Sequence, residues 1–588
     1  MRKLLSVALL CVVTLTACNN LAKKIMPSKT FVQFLADYYE DNLKENPLNA
    51  TYTGDMRYND LLPIDISRAE IDKNQTLVKK YLAELQTYDR NALDDDQKMS
   101  YDMMLWDLQL DLEGANFHNE WLPISQFEGI HLSLPQLGNG EGAQPFKTTA
   151  DYDNWLKRIA HFPAYADTLI ANMRIGMAKG YVLPTTLATK ILPQLESVVS
   201  KDVTKSIFWG AIKNLPKTFS ESDKQKYTAS YKIMVERDIN APYQKIYDFI
   251  KNEYIGKCRA TSGLSAVPTG SDRYKFLAKL WTTTDISPDE IFARGEKEVA
   301  RIRTEMEKVK TQVGFKGDLK AFFKYVNDAP QLHPFKTPEA VLANFEAIHQ
   351  RMEPKLKELF GTTPKTKFEI RRTEAFREAS ASAEYMQADA EGTRPGVFYV
   401  PVPDAKSYNT FQDEALFLHE AIPGHHYQMS TQQENTELPK FRRFSWYGAY
   451  GEGWALYTES LGTELGLYTD PYQYFGRLGM EMHRAIRLVV DVGMHTKGWT
   501  REQAIQYSMD NEAETEANIT AEIERYMAIP GQALSYKIGQ MKIAELRAKA
   551  TEKMGAKFDI KEFHHTVPKY GCMPLNILEQ KVDELIGK

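Results

Sequence analysis

The sequence is poor in cysteine, with four in 588 residues, too few for a disulfide framework. Cys11 and Cys18 fall near the N-terminus, which leaves Cys258 and Cys572 for the body of the chain. In an oxidising compartment those two would either pair, a bridge worth about 5 kcal/mol by chain entropy for so long a loop, or remain two inert buried thiols. Basic charge is not in excess either. Lys and Arg total 73 against 78 Asp and Glu, a net charge of −5, so nothing marks nucleic acid or an anionic membrane surface as a partner. No internal repeat or low-complexity tract is evident, which argues against solenoids, propellers and disordered linkers. The apolar run from Leu4 to Leu15 is too short for a bilayer, which needs about 20 helical residues. What remains, 43% hydrophobic and 26% charged, is the balance of a large globular body of two or three packed lobes.

Arg2 and Lys3 ahead of the apolar run make it an export signal rather than part of the fold. It closes on Leu15-Thr16-Ala17-Cys18, which resembles the lipobox of bacterial lipoproteins. That resemblance implies cleavage before Cys18, lipidation of its thiol and a membrane anchor, none of which a simple secreted or cytosolic chain would have. Two or more acyl chains, at about 0.8 kcal/mol per buried methylene, anchor stably. Asn19 stands where inner-membrane retention favours Asp. The resemblance therefore implies a bacterial cell-envelope protein, anchored to the outer membrane with its body in the periplasm.

Along the mature chain the pattern is helical, with amphipathic stretches near 30–46, 67–113, 150–200, 220–252, 287–312 and 337–361. Ser287-Pro288-Asp289-Glu290 combines an N-cap serine, a proline at the first helical position and a capping-box glutamate. Residues 367–374 and 397–402 carry β-branched and aromatic residues between breakers and read as strands. The class expected is mainly α, with a small sheet beside the central helices. The Gly, Ser and Pro of 256–272 mark a loop. Three segments follow: a leader at 1–18, an N-terminal helical lobe at 19–260 and a catalytic helical lobe at 261–588.

The chemistry concentrates in residues 417–428, where His419, His425 and His426 place three of the chain's twelve histidines within eight residues. A His-Glu pair on an apolar helix has a specific use in zinc hydrolases: the imidazole binds the metal, the adjacent glutamate acts as general base, and a second imidazole follows one turn later. Here the position one turn on is Pro423, so the helix must be interrupted. A straight helix would favour His426 as the second ligand, and a two-residue bulge at Pro423-Gly424 favours His425. The bulge is the preferred reading, and it turns His426 toward substrate or a supporting carboxylate. A third ligand is expected on another helix, and Glu452 and Glu459, seven residues apart, share one face amid Trp454, Leu456 and Tyr457. Burying such a pair is costly unless it meets a cation. Glu452 is assigned as ligand and Glu459 as its support.

These two motifs, His-Glu-x-x-Pro-Gly-His-His-x-Gln at 419–428 and Glu-Gly-Trp-Ala-x-Tyr-x-Glu at 452–459, resemble the signatures of the bacterial domain-of-unknown-function 885 proteins, many of them lipoproteins. Gly263-Leu264 to Pro268, Thr282 to Asp285, and Arg525-Tyr526 to Ala533 extend the likeness over most of the mature chain. That family in turn is similar to the helical zinc peptidases that include oligopeptidases and angiotensin-converting enzyme. The comparison implies a two-lobed helical body with a deep central cleft suited to short peptides, one Zn²⁺ per chain, and His425 rather than His426 as second ligand. Ser535-Tyr536-Lys537 resembles the oligopeptidase segment whose tyrosine donates to the tetrahedral intermediate, which implies Tyr536 as oxyanion donor.

Three further residues complete the candidates. Arg484, Arg487, Asp491 and His495 form a polar stripe at helical spacing, in which Asp491 would orient His495 for a catalytic or substrate-binding role, or hold a buried structural network. Tyr526 is the reserve oxyanion donor, and Arg525 would clamp a substrate carboxylate. The mechanism expected is peptide hydrolysis, with Glu420 taking a proton from zinc-activated water and returning it to the departing amine. The alternative is a peptide-binding lipoprotein with the same cleft and no catalysis.

Overall fold

The computed structural model describes residues 28–374, 378, 381–388 and 394–587. Cys18 and the leader lie outside the described residues. The body is mainly helical with one small three-stranded sheet. Among the described residues no helix is long and apolar enough to cross a membrane.

Local signals set the helix boundaries. The amphipathic stretch over 67–113 is two helices, Arg68–Leu85 and Asp95–Gly114, because the Asp94 side chain accepts from the Gln97 N–H and starts a new helix. Residues 150–200 form three, Thr149–Ile159, Phe162–Lys179 and Thr185–Val198, and Gly180 at φ 81° ends the second in the left-handed conformation. In the C-terminal half α1 is Pro288–Gln312, capped by the Ser287 hydroxyl that accepts from the Glu290 N–H, and α2 is Pro338–Leu359. The strands are β1 (Phe368–Arg372), β2 (Glu384–Met386) and β3 (Gly396–Val400). β3 is buried and central, parallel to β1 with Phe368 opposite Gly396, and antiparallel to β2 with Tyr385 opposite Phe398. Then follow α3 (Asp413–Glu420), α4 (His425–Glu434), α5 (Gly448–Glu459), α6 (Pro471–Thr496), α7 (Glu516–Ala528) and α8 (Leu534–Met554).

Three apolar cores hold these elements, each fully buried Leu, Ile or Phe contributing about 1.5–3 kcal/mol. One joins helices of 31–108 to α2, β3, α3, α5, α8 and the C-terminal helix Leu575–Ile586. A second is built almost wholly from 62–254, and a third packs α1 against α6 and α7. The second core lies before residue 260 and the third, Leu187 apart, after it, whereas the first draws on both sides. Cys258 and Cys572 are free thiols rather than a bridge. They sit in different cores, and burial raises them to about 11 and about 12.

Candidate metal centre and cavity

The last turn of α3 carries His419 and Glu420. The helix stops there because Ala421 leaves the helical region at φ −99°, ψ −112°, and Pro423, after a cis peptide, has no N–H to donate. Gly424 is required: a Cβ there would lie 1.9 Å from the His419 carbonyl oxygen. A new helix, α4, then begins at His425. The carbonyls exposed by this break are satisfied from α5, where Thr458 Oγ1 donates to the Leu418 oxygen and Trp454 Nε1 to that of Pro423, both at 2.9 Å. The same helix carries Glu452, six residues before Thr458.

This local architecture brings His419, His425 and Glu452 together. One ligand atom from each lies within 4.8 Å of the others. His425 Nε2 is 3.4 Å and His419 Nε2 is 3.7 Å from Glu452 Oε2. Tetrahedral ligands at about 2.1 Å from one cation stand about 3.4 Å from each other, which is close to the two separations from Glu452. Glu459 Oε1 is 2.7 Å from His419 Nδ1, which fixes the ring with Nε2 facing Glu452. Two imidazoles and a carboxylate suit a divalent transition metal.

The electrostatics agree with a site built for positive charge. Burial disfavours the charged form of His419, yet the carboxylates of Glu452 and Glu459 outweigh it and raise the ring to about 9. Burial likewise opposes ionisation of Glu452, but the adjacent His425 and His419 hold it far below the usual carboxylate range. Burial raises Glu420, against the pull of the two histidines.

His419, Glu420, His425 and Glu452 open onto a cavity of about 1140 Å³. Tyr536 from α8 and Arg525 from α7 line it too. Arg487 lies over the Tyr536 ring with its Cζ 4.6 Å from the centroid. Arg525 is tied to Gln532 at 2.9 Å.

Three candidates fall elsewhere. His426 does not line the cavity: it is buried against β1 and β2, its Nδ1 is 2.9 Å from the Tyr385 hydroxyl, its ring packs on Phe368, and burial lowers it to about 4. His495 is fully buried outside the cavity as a neutral bridge, its Nδ1 accepting from the Leu264 N–H at 3.0 Å and its Nε2 donating to the Tyr526 carbonyl at 3.1 Å. Asp491 does not orient it, and instead accepts from the Tyr274 hydroxyl and the Gly531 N–H. Tyr526 is also buried away from the cavity, where its hydroxyl donates to Glu522 and accepts from Arg487 Nε, both at 2.8 Å.

The cavity also contains residues that sequence reasoning missed. His483 sits four residues before Arg487, on the stripe already singled out, and lies 2.6 Å from Glu512. Tyr385 comes from β2, a three-residue strand too short and too exposed to show a pattern. Gln126, Phe127 and Lys190 arrive from the N-terminal half with no local signal at all.

The family described as "Bacterial protein of unknown function (DUF885)" matches residues 47–582. No curated protein matches the chain. A crystal structure from Colwellia psychrerythraea, described as a "putative lipoprotein", superposes with a TM-score of 0.88 at 28% identity, covering 96% of this chain and 100% of that one. A structure from Shewanella oneidensis, described as one of unknown function, shares the fold with a TM-score of 0.75 at 20% identity, covering 94% and 99%.

Proposed function

The chain belongs to the bacterial DUF885 family, and we propose that it is a zinc-dependent peptidase acting on short peptides. One observation carries the reading: two histidine nitrogens and a glutamate oxygen converge within 4.8 Å on the wall of a large cavity, with a second glutamate next to the first ligand. His419, His425 and Glu452 would hold the zinc, which when bound supplies Lewis acidity and lowers the pKa of water.

The chain's own groups do the rest. Glu420 removes the proton from the attacking water and delivers it to the departing amine nitrogen. Glu459 keeps the His419 ring in one tautomer through the 2.7 Å contact at Nδ1. The Tyr536 hydroxyl donates a hydrogen bond to the carbonyl oxygen as negative charge develops there. A cavity of about 1140 Å³ has room for an extended oligopeptide, which supports short peptides as the substrate class. The lipobox ending at Cys18, together with the lipoprotein description of the Colwellia protein, supports anchoring in the bacterial envelope, and Asn19 in place of Asp favours the periplasmic face of the outer membrane.

A peptide-library digest read by mass spectrometry tests the activity. Zinc-loaded protein is expected to cleave the library and a chelator to stop it. Peptides that bind and stay intact under both conditions would contradict the enzyme reading and leave a peptide-binding lipoprotein.

A further inference from the structure

The cavity wall divides by chemistry. The part formed by α6 and α7 is charged, with His483, Arg484, Arg487, Glu522 and Arg525. The part beside His425 is apolar, lined by Trp446 and by Met429, one turn further along α4. The Trp446 indole lies 5.9 Å from the His425 ring, centroid to centroid, and is 44% exposed. Among the described residues, Trp446 and Phe127 are the only exposed large apolar side chains that line this cavity.

The indole has a built seat. Ser445 Oγ donates to the carbonyls of Arg442 at 2.9 Å and Cys572 at 3.1 Å, and the Tyr447 N–H donates to Cys572 Sγ at 3.0 Å, so the backbone is fixed on both sides of Trp446. Gly451, one residue before Glu452, makes room for the ring: a Cβ there would lie 2.2 Å from the indole Cη2. A large apolar plane is thus held open between His425 and the turn of α5 that carries Glu452.

Apolar surface left in water is unfavourable in proportion to its area, and a second aromatic ring covers an indole best, because it adds a stacked or edge-to-face contact to the burial. A cationic side chain is the other group an indole attracts. Here it would stand beside a site that itself has to hold a divalent cation, and like charges repel. On the peptidase reading, on which this inference rests, an extended peptide places one carbonyl beside His425. Consecutive Cα atoms are about 3.8 Å apart, so the side chains within reach of the indole are those of the two residues that share the cleaved bond.

We infer that Trp446, with Met429, forms a subsite for an aromatic side chain on one of the two residues at the cleaved bond, so that cleavage is directed to peptide bonds next to Phe, Tyr or Trp.

The test uses hexapeptides of Ala and Ser in which a single Phe, Lys or Glu is moved through the six positions. Mass spectrometry on the zinc-loaded protein gives the cleaved bond and kcat/KM, and calorimetry gives binding. Cuts are expected beside Phe, with kcat/KM about 10–100-fold above that of the unsubstituted peptide. In Trp446→Ala the gain should shrink to within about 3-fold while the unsubstituted peptide is cleaved at the parental rate, and Trp446→Phe should restore part of the gain. Equal cleavage of all peptides by the parent would overturn the inference, as would a preference for Lys or Glu over Phe. So would a gain undiminished in Trp446→Ala, or a variant that loses both peptides alike. The two readings fail separately. Tighter binding of Phe peptides that depends on Trp446, without cleavage, keeps the subsite and removes the peptidase. Cleavage indifferent to Phe removes the subsite and keeps the peptidase.

Discussion

Glu459 Oε1 lies 2.7 Å from His419 Nδ1, on the side of the imidazole opposite the nitrogen that faces Glu452. The ring is thus held between two carboxylates from one helix, and only one of them is available to a metal. Removing the other should loosen the ring while leaving all three donors in place. Glu459→Gln is expected to bind zinc about 10–100-fold more weakly than the parent, as measured by competition with a chelating dye. Unchanged affinity would deny Glu459 its supporting role.

Glu420 has a different relation to the metal. It is adjacent to His419 in sequence and lines the cavity, but it is not among the three converging donors. Glu420→Gln should therefore retain its zinc and lose turnover, by about 10²–10⁴-fold. Elemental analysis and peptide cleavage on the same preparation check this, and a variant that keeps parental turnover would exclude Glu420 as the base.

Asp491 supplies a pH-dependent stability term remote from the metal. Burial raises its carboxyl from 3.8 to about 7, despite the hydrogen bonds it accepts from Tyr274 and Gly531. The folded protein therefore binds this proton more tightly than the unfolded chain. The stabilisation is complete below the unfolded value of 3.8 and is lost as pH rises through about 7. Melting temperatures measured between about pH 4 and about pH 8 should fall less steeply for Asp491→Asn than for the parent. Parallel profiles would contradict the assignment.

What the sequence made legible follows from how local the signal is. His419, Glu420 and the break at Pro423-Gly424 lie within a few residues, and Glu452 and Glu459 recur at a helical period, so both halves of the centre could be read. The two longer strands could be read as well, from their β-branched and aromatic residues. His495 shows where periodicity misleads: it continues the spacing of Arg484 and Arg487, yet α6 meets different neighbours along its length. Its middle faces the cavity, and its C-terminal end is enclosed by Leu264, Tyr274 and Tyr526. Tyr526 and Tyr536 would share a face on one continuous helix, but the chain turns between them at Gly531, with φ 84°, and only Tyr536 reaches the cavity. Lys190 and Phe127 lie hundreds of residues from the motifs they face, a relationship set by tertiary packing alone.

The most direct measurement is zinc content per chain, determined side by side for the parent, His425→Ala and His426→Ala after equilibration with zinc and removal of the excess. Convergence of His419, His425 and Glu452 predicts about one zinc in the parent and in His426→Ala, and close to none in His425→Ala. Full occupancy in His425→Ala, or no zinc in the parent, would contradict the metal centre on which the proposed chemistry depends.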